Sequence, residues 1–133
     1  MSVQPHAFRL KPGQDLKKEL SQYCKTHQLQ AATLLSGIGS LKVANLRMAN
    51  ANESKTLEGP FEIVSLIGTL SAHGIHLHIS ISDKDGKVLG GHLLDGCLIH
   101  TTAEIVLLES LDLKFDRQND PETGYKELVV TKR

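Results

Sequence analysis

The strongest constraint on the fold is a single change of hydrophobic period. Between Asp15 and Lys25 the residues Leu16, Leu20, Tyr23 and Cys24 recur at i, i+4, i+7 and i+8, while Lys17, Lys18, Glu19 and Lys25 fall outside that stripe. The spacing predicts an amphipathic helix with one buried face. Asp15 is the residue type that caps such a helix or sits in its first turn. Nearly everything afterwards reads as strand: "QAATLLSGIGSLKVANLRMA", "SKTLEG", "FEIVSLIGTLSA", "GIHLHISISD", "KVLGGHLLDG", "CLIHTTAEIVLLESL" and "YKELVVTK". Gly59-Pro60, Gly74, Asp83-Lys84-Asp85-Gly86 and Asp95-Gly96 punctuate these runs with turn chemistry. Upstream, "HAFRLK" alternates apolar and polar residues until Pro12-Gly13 stops it.

One helix against many strands joined by short turns predicts an α+β fold, a large, mostly antiparallel β-sheet packed with one main α-helix. No repeat, low-complexity tract or linker interrupts the chain, so residues 1–133 are expected to form a single domain. Ser36-Gly37-Ile38-Gly39 lacks the full GxGxxG pattern and is expected to be a bend between strands. "FDRQNDPETG", Phe115 to Gly124, is the most polar stretch and is expected to be a mobile surface loop before a last edge strand.

Composition excludes several classes. Fifteen basic residues balance 15 acidic ones, so there is no overall positive field of the kind that draws a protein to nucleic acid. Cys24 and Cys97 lie far apart and form no CxxC, which argues against a disulfide framework or thiolate zinc site and for a reducing, cytoplasmic setting. Cys97 stands in an apolar run, as a core thiol does. The N-terminal stretch has no apolar signal core and no segment is long enough to cross a bilayer, so neither secretion nor membrane insertion is expected.

Against this plain background, His76, His78 and His92 are unusual strand residues. His76 and His78 are two apart in a strand and leave the same face. His92 joins them if Asp83 opens a three-residue loop closed by Gly86 as the bulge residue, because His78 then pairs with His92. A four-residue loop sends His92 to the opposite face. In the first register the imidazoles can converge on one ion, as zinc or another divalent transition metal requires, with a fourth position left to water, an anion or a substrate. Exposed or hydrogen-bonded histidines without metal are the structural alternative. His6, His27 and His73 are read that way, as is His100, which is also a possible outer neighbour. Gly90-Gly91 is either a bulge or a place where another chain or a ligand approaches the backbone. Glu62, Asp95 and Glu104 are candidate general bases, although no carboxylate pair has a telling spacing.

"SGIGSL", "EGPFEIVSLIGTLS", "HLHISISDKDGKVLGGHLLDGC" and "TTAEIVL" occur in this order. Together they resemble the bacterial form of the plants-and-prokaryotes conserved (PPC) domain, also found in plant AT-hook nuclear proteins, from the initial strand to about Leu113. The resemblance implies a one-helix antiparallel-sheet fold, a homotrimer, and a zinc site whose three histidine positions are filled here by His76, His78 and His92. It also brings an expectation of DNA binding. In plant members that contact belongs to an Arg-Gly-Arg-Pro hook, which this chain lacks. The plant partner-binding stretch corresponds to Gly59-Pro60-Phe61-Glu62-Ile63-Val64, where Pro60 replaces an arginine and removes its charge and a backbone donor.

Three functions are therefore expected to compete. One is a trimeric, metal-binding regulatory module directed at DNA without a hook. Another is a zinc-dependent enzyme of lyase or hydrolase type acting on a small metabolite, with Glu62 or Glu104 as acid/base. The fold implied by the resemblance is similar to that of acetolactate decarboxylase. The third is a structural trimer without metal.

Overall fold

The computed structural model describes residues Met1–Arg133, and its one α-helix is α1 (Leu16–Thr26). Asp15 both starts this helix and ties it down. Its Oδ1 accepts the Lys18 backbone N–H at 3.1 Å, and its Oδ2 accepts the Gly96 N–H at 2.7 Å. Leu16, Leu20 and Cys24 are fully buried, whereas Tyr23 lies at the rim and stacks on Phe8 at 4.0 Å. Each buried leucine contributes about 1.5–3 kcal/mol relative to exposure. Leu20→Ala would open a cavity costing about 2–5 kcal/mol.

The strands are β1 (Val3–Leu10), β2 (Ala32–Arg47), β3 (Ser54–Ser71), β4 (Gly74–Ser82), β5 (Val88–Leu93), β6 (Leu98–Ser110), β7 (Leu113–Asn119) and β8 (Lys126–Lys132). The first six form one sheet in the order β1-β6-β2-β3-β4-β5, with every pairing antiparallel. The far end of β2 also pairs with β5, Leu46 opposite Leu93 and Arg47 opposite His92, so the sheet curls back on itself. α1 packs against β3 and β6 over a core built from aliphatic residues such as Leu41, Leu70, Ile81, Ile99 and Leu107. The α+β class read from the sequence is the class observed.

Three local expectations need correction. Ser36-Gly37-Ile38-Gly39 is not a bend between strands; it lies inside the continuous β2. Gly39 is required there because β6 comes so close that a Cβ would overlap the Thr102 carbonyl. "SKTLEG" and "FEIVSLIGTLSA" are not separate strands but one strand of 18 residues, β3. Its register steps from Leu41↔Phe61 to Val43↔Glu58, so Gly59 and Pro60 together oppose Lys42. Pro60 thus sits at a bulge, where a missing N–H costs no ladder bond.

The third correction concerns Phe115 to Gly124. Phe115–Asn119 belongs to β7, which pairs with β8 in a separate two-stranded ribbon. Phe115 opposes Val130 and Arg117 opposes Leu128, so the strand is defined by its pairing and not by a run of apolar residues. The ribbon is fastened to the main sheet by Phe115 N–H donating to Gln30 O at 2.8 Å and by Ser71 Oγ donating to Phe115 O at 3.1 Å.

Candidate metal centre

The β4–β5 turn decides the geometry of the site. Asp83 N–H donates to Lys87 O at 2.9 Å, and Asp83 Oδ1 accepts the N–H groups of Asp85 and Lys87, each at 2.9 Å. Gly86 takes φ +80°, the left-handed conformation that closes a three-residue loop. The ladder then runs Ser82↔Val88, Ser80↔Gly90 and His78↔His92. Of the two registers open to the sequence, this is the one that gathers the histidines.

His76, His78 and His92 each offer a ring nitrogen, and these atoms lie within 4.8 Å of one another. The ring centroids are 4.9 to 5.6 Å apart. His76 Nε2 and His78 Nε2 are 3.2 Å apart, which suits one hydrogen bond between neutral rings. It also suits chelation, since two nitrogens about 2.0–2.1 Å from a tetrahedral ion are roughly 3.3–3.4 Å apart. His92 Nδ1 is buried and has no hydrogen-bond partner, an arrangement that costs about 1–3 kcal/mol unless a ligand satisfies it. Burial pushes His92 down to about 4, with the charge of Arg47 adding to the effect. Burial also holds His76 below the usual imidazole value, followed by the charges of His78 and Arg117. Both rings are therefore neutral at pH 7, as metal ligands must be.

Gly90 and Gly91 have a packing role that the sequence left open. A Cβ on Gly91 would lie 2.7 Å from the Arg47 carbonyl oxygen, so the bare backbone lets β2 reach β5 beside His92. The approaching chain is the protein's own β2.

The structure does not bring Glu62 or Glu104 to the imidazoles. Glu62 opposes Ser82, four residues along β4 from His78, or about 13 Å at strand rise. Glu104 lies on β6 opposite Ile38, about 14 Å from β4 across three strand spacings. Asp95 is in the turn before β6, where its carbonyl oxygen accepts from Asn45 Nδ2 at 2.8 Å. His100 is exposed on β6. His73 lines the cavity beside His76, and His27 stacks on Tyr23 at 4.0 Å.

Sequence reading missed two sets of residues. Arg47, Arg117, Tyr125, Lys126 and Glu127 surround the open side of His76 and His92, in a cavity of about 430 Å³. They come from β2, β7, β8 and the turn before β8, and no local motif links them to the histidines. Elsewhere, buried Glu109 accepts from Arg133 at 2.8 Å and meets His6 Nε2 at 3.1 Å, while His6 Nδ1 meets Tyr23 Oη at 3.2 Å.

The chain matches the Plants and Prokaryotes Conserved (PCC) domain over residues 1–111. It is 49% identical over 131 residues to the bifunctional protein GlmU of a Synechococcus strain, and it spans 21% of that relative's length. A hypothetical protein of Salmonella cholerae-suis has the same structure at a TM-score of 0.96 and 40% identity, covering 99% of this chain and 96% of the other. A metal-containing protein of Archaeoglobus fulgidus superimposes with a TM-score of 0.82 at 27% identity, covering 95% of this chain and 93% of the other.

Proposed function

The chain belongs to the Plants and Prokaryotes Conserved domain family, and on that premise we propose that it is a homotrimeric metal-binding module. In this reading residues 1–133 are one domain, and His76, His78 and His92 hold one divalent transition-metal ion, zinc in the first instance. The convergence of three imidazoles, with His92 Nδ1 buried and unpartnered, carries the reading. The metal-containing archaeal relative of the same fold supports it. Bound zinc supplies a Lewis acid with an open fourth position. The chain's own part is to hold the rings in register through the Asp83–Lys87 loop and to keep His76 and His92 unprotonated through burial.

Trimer formation is supported by Leu35, Ile38, Val64 and Ile67, all more than half exposed. Ile67 directly opposes His78, so this apolar surface adjoins the candidate metal centre. A closed symmetric assembly would cover it. The proposed setting is cytoplasmic, which suits two free, buried thiols. No helix is long and apolar enough to cross a membrane.

Metal analysis of protein purified without a histidine tag tests the reading. We expect about one ion per chain in the wild type and a loss of at least about tenfold in occupancy in His78→Ala and His92→Ala. Equal metal content in wild type and variants would remove the site, leaving a structural trimer whose histidines hold no metal. A regulatory role on duplex DNA belongs to the same reading. It requires binding that weakens steeply with salt as counterions are released, and no binding at low salt would remove that part.

The cavity over His76 and His92 favours a second reading, a zinc-dependent enzyme acting on a small metabolite by lyase or hydrolase chemistry. Glu127, rather than Glu62 or Glu104, is the carboxylate in its wall. Turnover of a member of a metabolite panel by zinc-loaded protein, abolished in His78→Ala, would support it. A panel without turnover would count against it.

A further inference from the structure

The cavity that opens over His76 and His92 is walled by Arg47, Arg117 and Lys126, with Glu127 as the opposing charge. None of the chain's salt bridges involves any of these three cations. Both arginines are held close to the histidines by the fold. Arg47 is the direct cross-strand partner of His92, which places their Cβ atoms about 4.5–5.5 Å apart. Arg117 Nη2 donates to Thr69 Oγ1 at 2.8 Å, and Thr69 is the cross-strand partner of His76. The Arg117 stem passes over Gly74, where a Cβ would come within 3.2 Å of its Cγ. Both arginines are half-buried residues, and Arg117 uses a guanidinium donor only toward Thr69, so most of the five donors on each stay free. Unpaired guanidinium groups in a partly dry cavity are the chemistry that recognises an anionic oxygen ligand.

We propose that this cavity binds a small organic carboxylate, held between Arg47 and Arg117 over the metal face. The inference deepens the metal reading and rests on it for the floor of the cavity. Its volume of about 430 Å³ lies within the range of small-molecule pockets. Glu127 in the same wall favours a singly charged carboxylate over doubly charged phosphate. Arg117, Tyr125, Lys126 and Glu127 all come from the β7–β8 ribbon, beyond the residues matched by the family. The ribbon is thus the part of the chain that sets ligand choice.

The test is a titration of the ¹⁵N-labelled, untagged full chain, zinc-loaded and separately metal-free. Acetate, lactate and inorganic phosphate are the probes, and arginine Nε–H and backbone amide signals are the readout. Saturable shifts around Arg47 and Arg117 are expected with the carboxylates. Affinity should drop about tenfold in Arg47→Gln and in Arg117→Gln with zinc content unchanged. Arg117→Lys, which keeps the charge but loses the fork, should recover only part of the binding and guards against a fold defect in the glutamine variant. No saturable shift in either form, binding unchanged in both glutamine variants, or phosphate bound more tightly than the carboxylates would overturn the proposal. The two readings fail separately. A chain that binds carboxylate but no zinc loses the metal centre and keeps the anion pocket, whereas a zinc-loaded chain that ignores carboxylates does the reverse.

Discussion

His78 and His92 stand directly opposite each other across the β4–β5 hairpin, with ring centroids 5.6 Å apart. The opposition is set at the far end of the hairpin, where Gly86 closes a loop organised by Asp83. A glycine inserted between Asp85 and Gly86 should shift the strand by one residue and turn His92 to the other face. Zinc stoichiometry, measured on refolded protein, is expected to fall to background. Gly86→Ala leaves the register alone, since a Cβ there meets nothing within 4 Å. It should cost about 1–2 kcal/mol for the left-handed backbone in urea melts and leave zinc binding intact.

Metal removal should lower thermal stability. A ligand at 100 times its dissociation constant adds about 2.7 kcal/mol to a fold that alone binds it. Scanning calorimetry with and without a chelator should therefore show a fall in Tm of several degrees in the wild type. His78→Ala should show almost no response to the chelator, because its ion is already lost.

Glu109 should add to the acid sensitivity that the depressed His76 and His92 already confer from the histidine range downward. Burial acts to raise its carboxyl pKa, but hydrogen bonds from Arg133, the Gln30 N–H and His6 outweigh that and hold it below the usual carboxylate value. A depressed carboxyl contributes stability above its unfolded value and loses it as pH falls through the folded value. Stability measured by urea titration should thus decline on acidification below the ordinary carboxylate range. Arg133→Ala should remove about 1 kcal/mol at pH 7, modest because Arg133 is 31% exposed, and flatten the acid limb.

The cap on α1 gives a local prediction. Asp15→Ala leaves both the Lys18 and Gly96 N–H groups without their carboxylate. A loss of about 1–2 kcal/mol in denaturant unfolding is expected, at the upper end for a cap because Asp15 also pins the helix to the β5–β6 turn. Asp15→Asn should retain more than half of the stability lost in Asp15→Ala.

How far the sequence discloses this structure depends on the range of the physics involved. The α1 stripe and the Asp83–Gly86 loop are local, because periodicity and turn chemistry act over a few residues, and both were readable. Gly39 and Gly59-Pro60 look like breaks because their reasons lie elsewhere: Gly39 yields to the Thr102 carbonyl on β6, and Pro60 fits a bulge against Lys42 on β2. The β7 strand was hidden because Phe115 is the one apolar residue between Lys114 and Asn119, in a segment whose polarity resembles a loop. In the candidate site the three histidines were legible from one hairpin. Arg47 and Arg117 were not, since they reach it only through the β2–β5 pairing and the packing of the ribbon on Thr69.

The central claim is that His76, His78 and His92 bind one ion together. Its most direct test is anomalous diffraction at the zinc edge from crystals of untagged protein grown without added metal. A single strong peak per chain, at about 2.0–2.1 Å from one nitrogen of each of the three rings, is the predicted result. No peak at the three rings, or one held by other residues while these imidazoles bond only to each other, would contradict it.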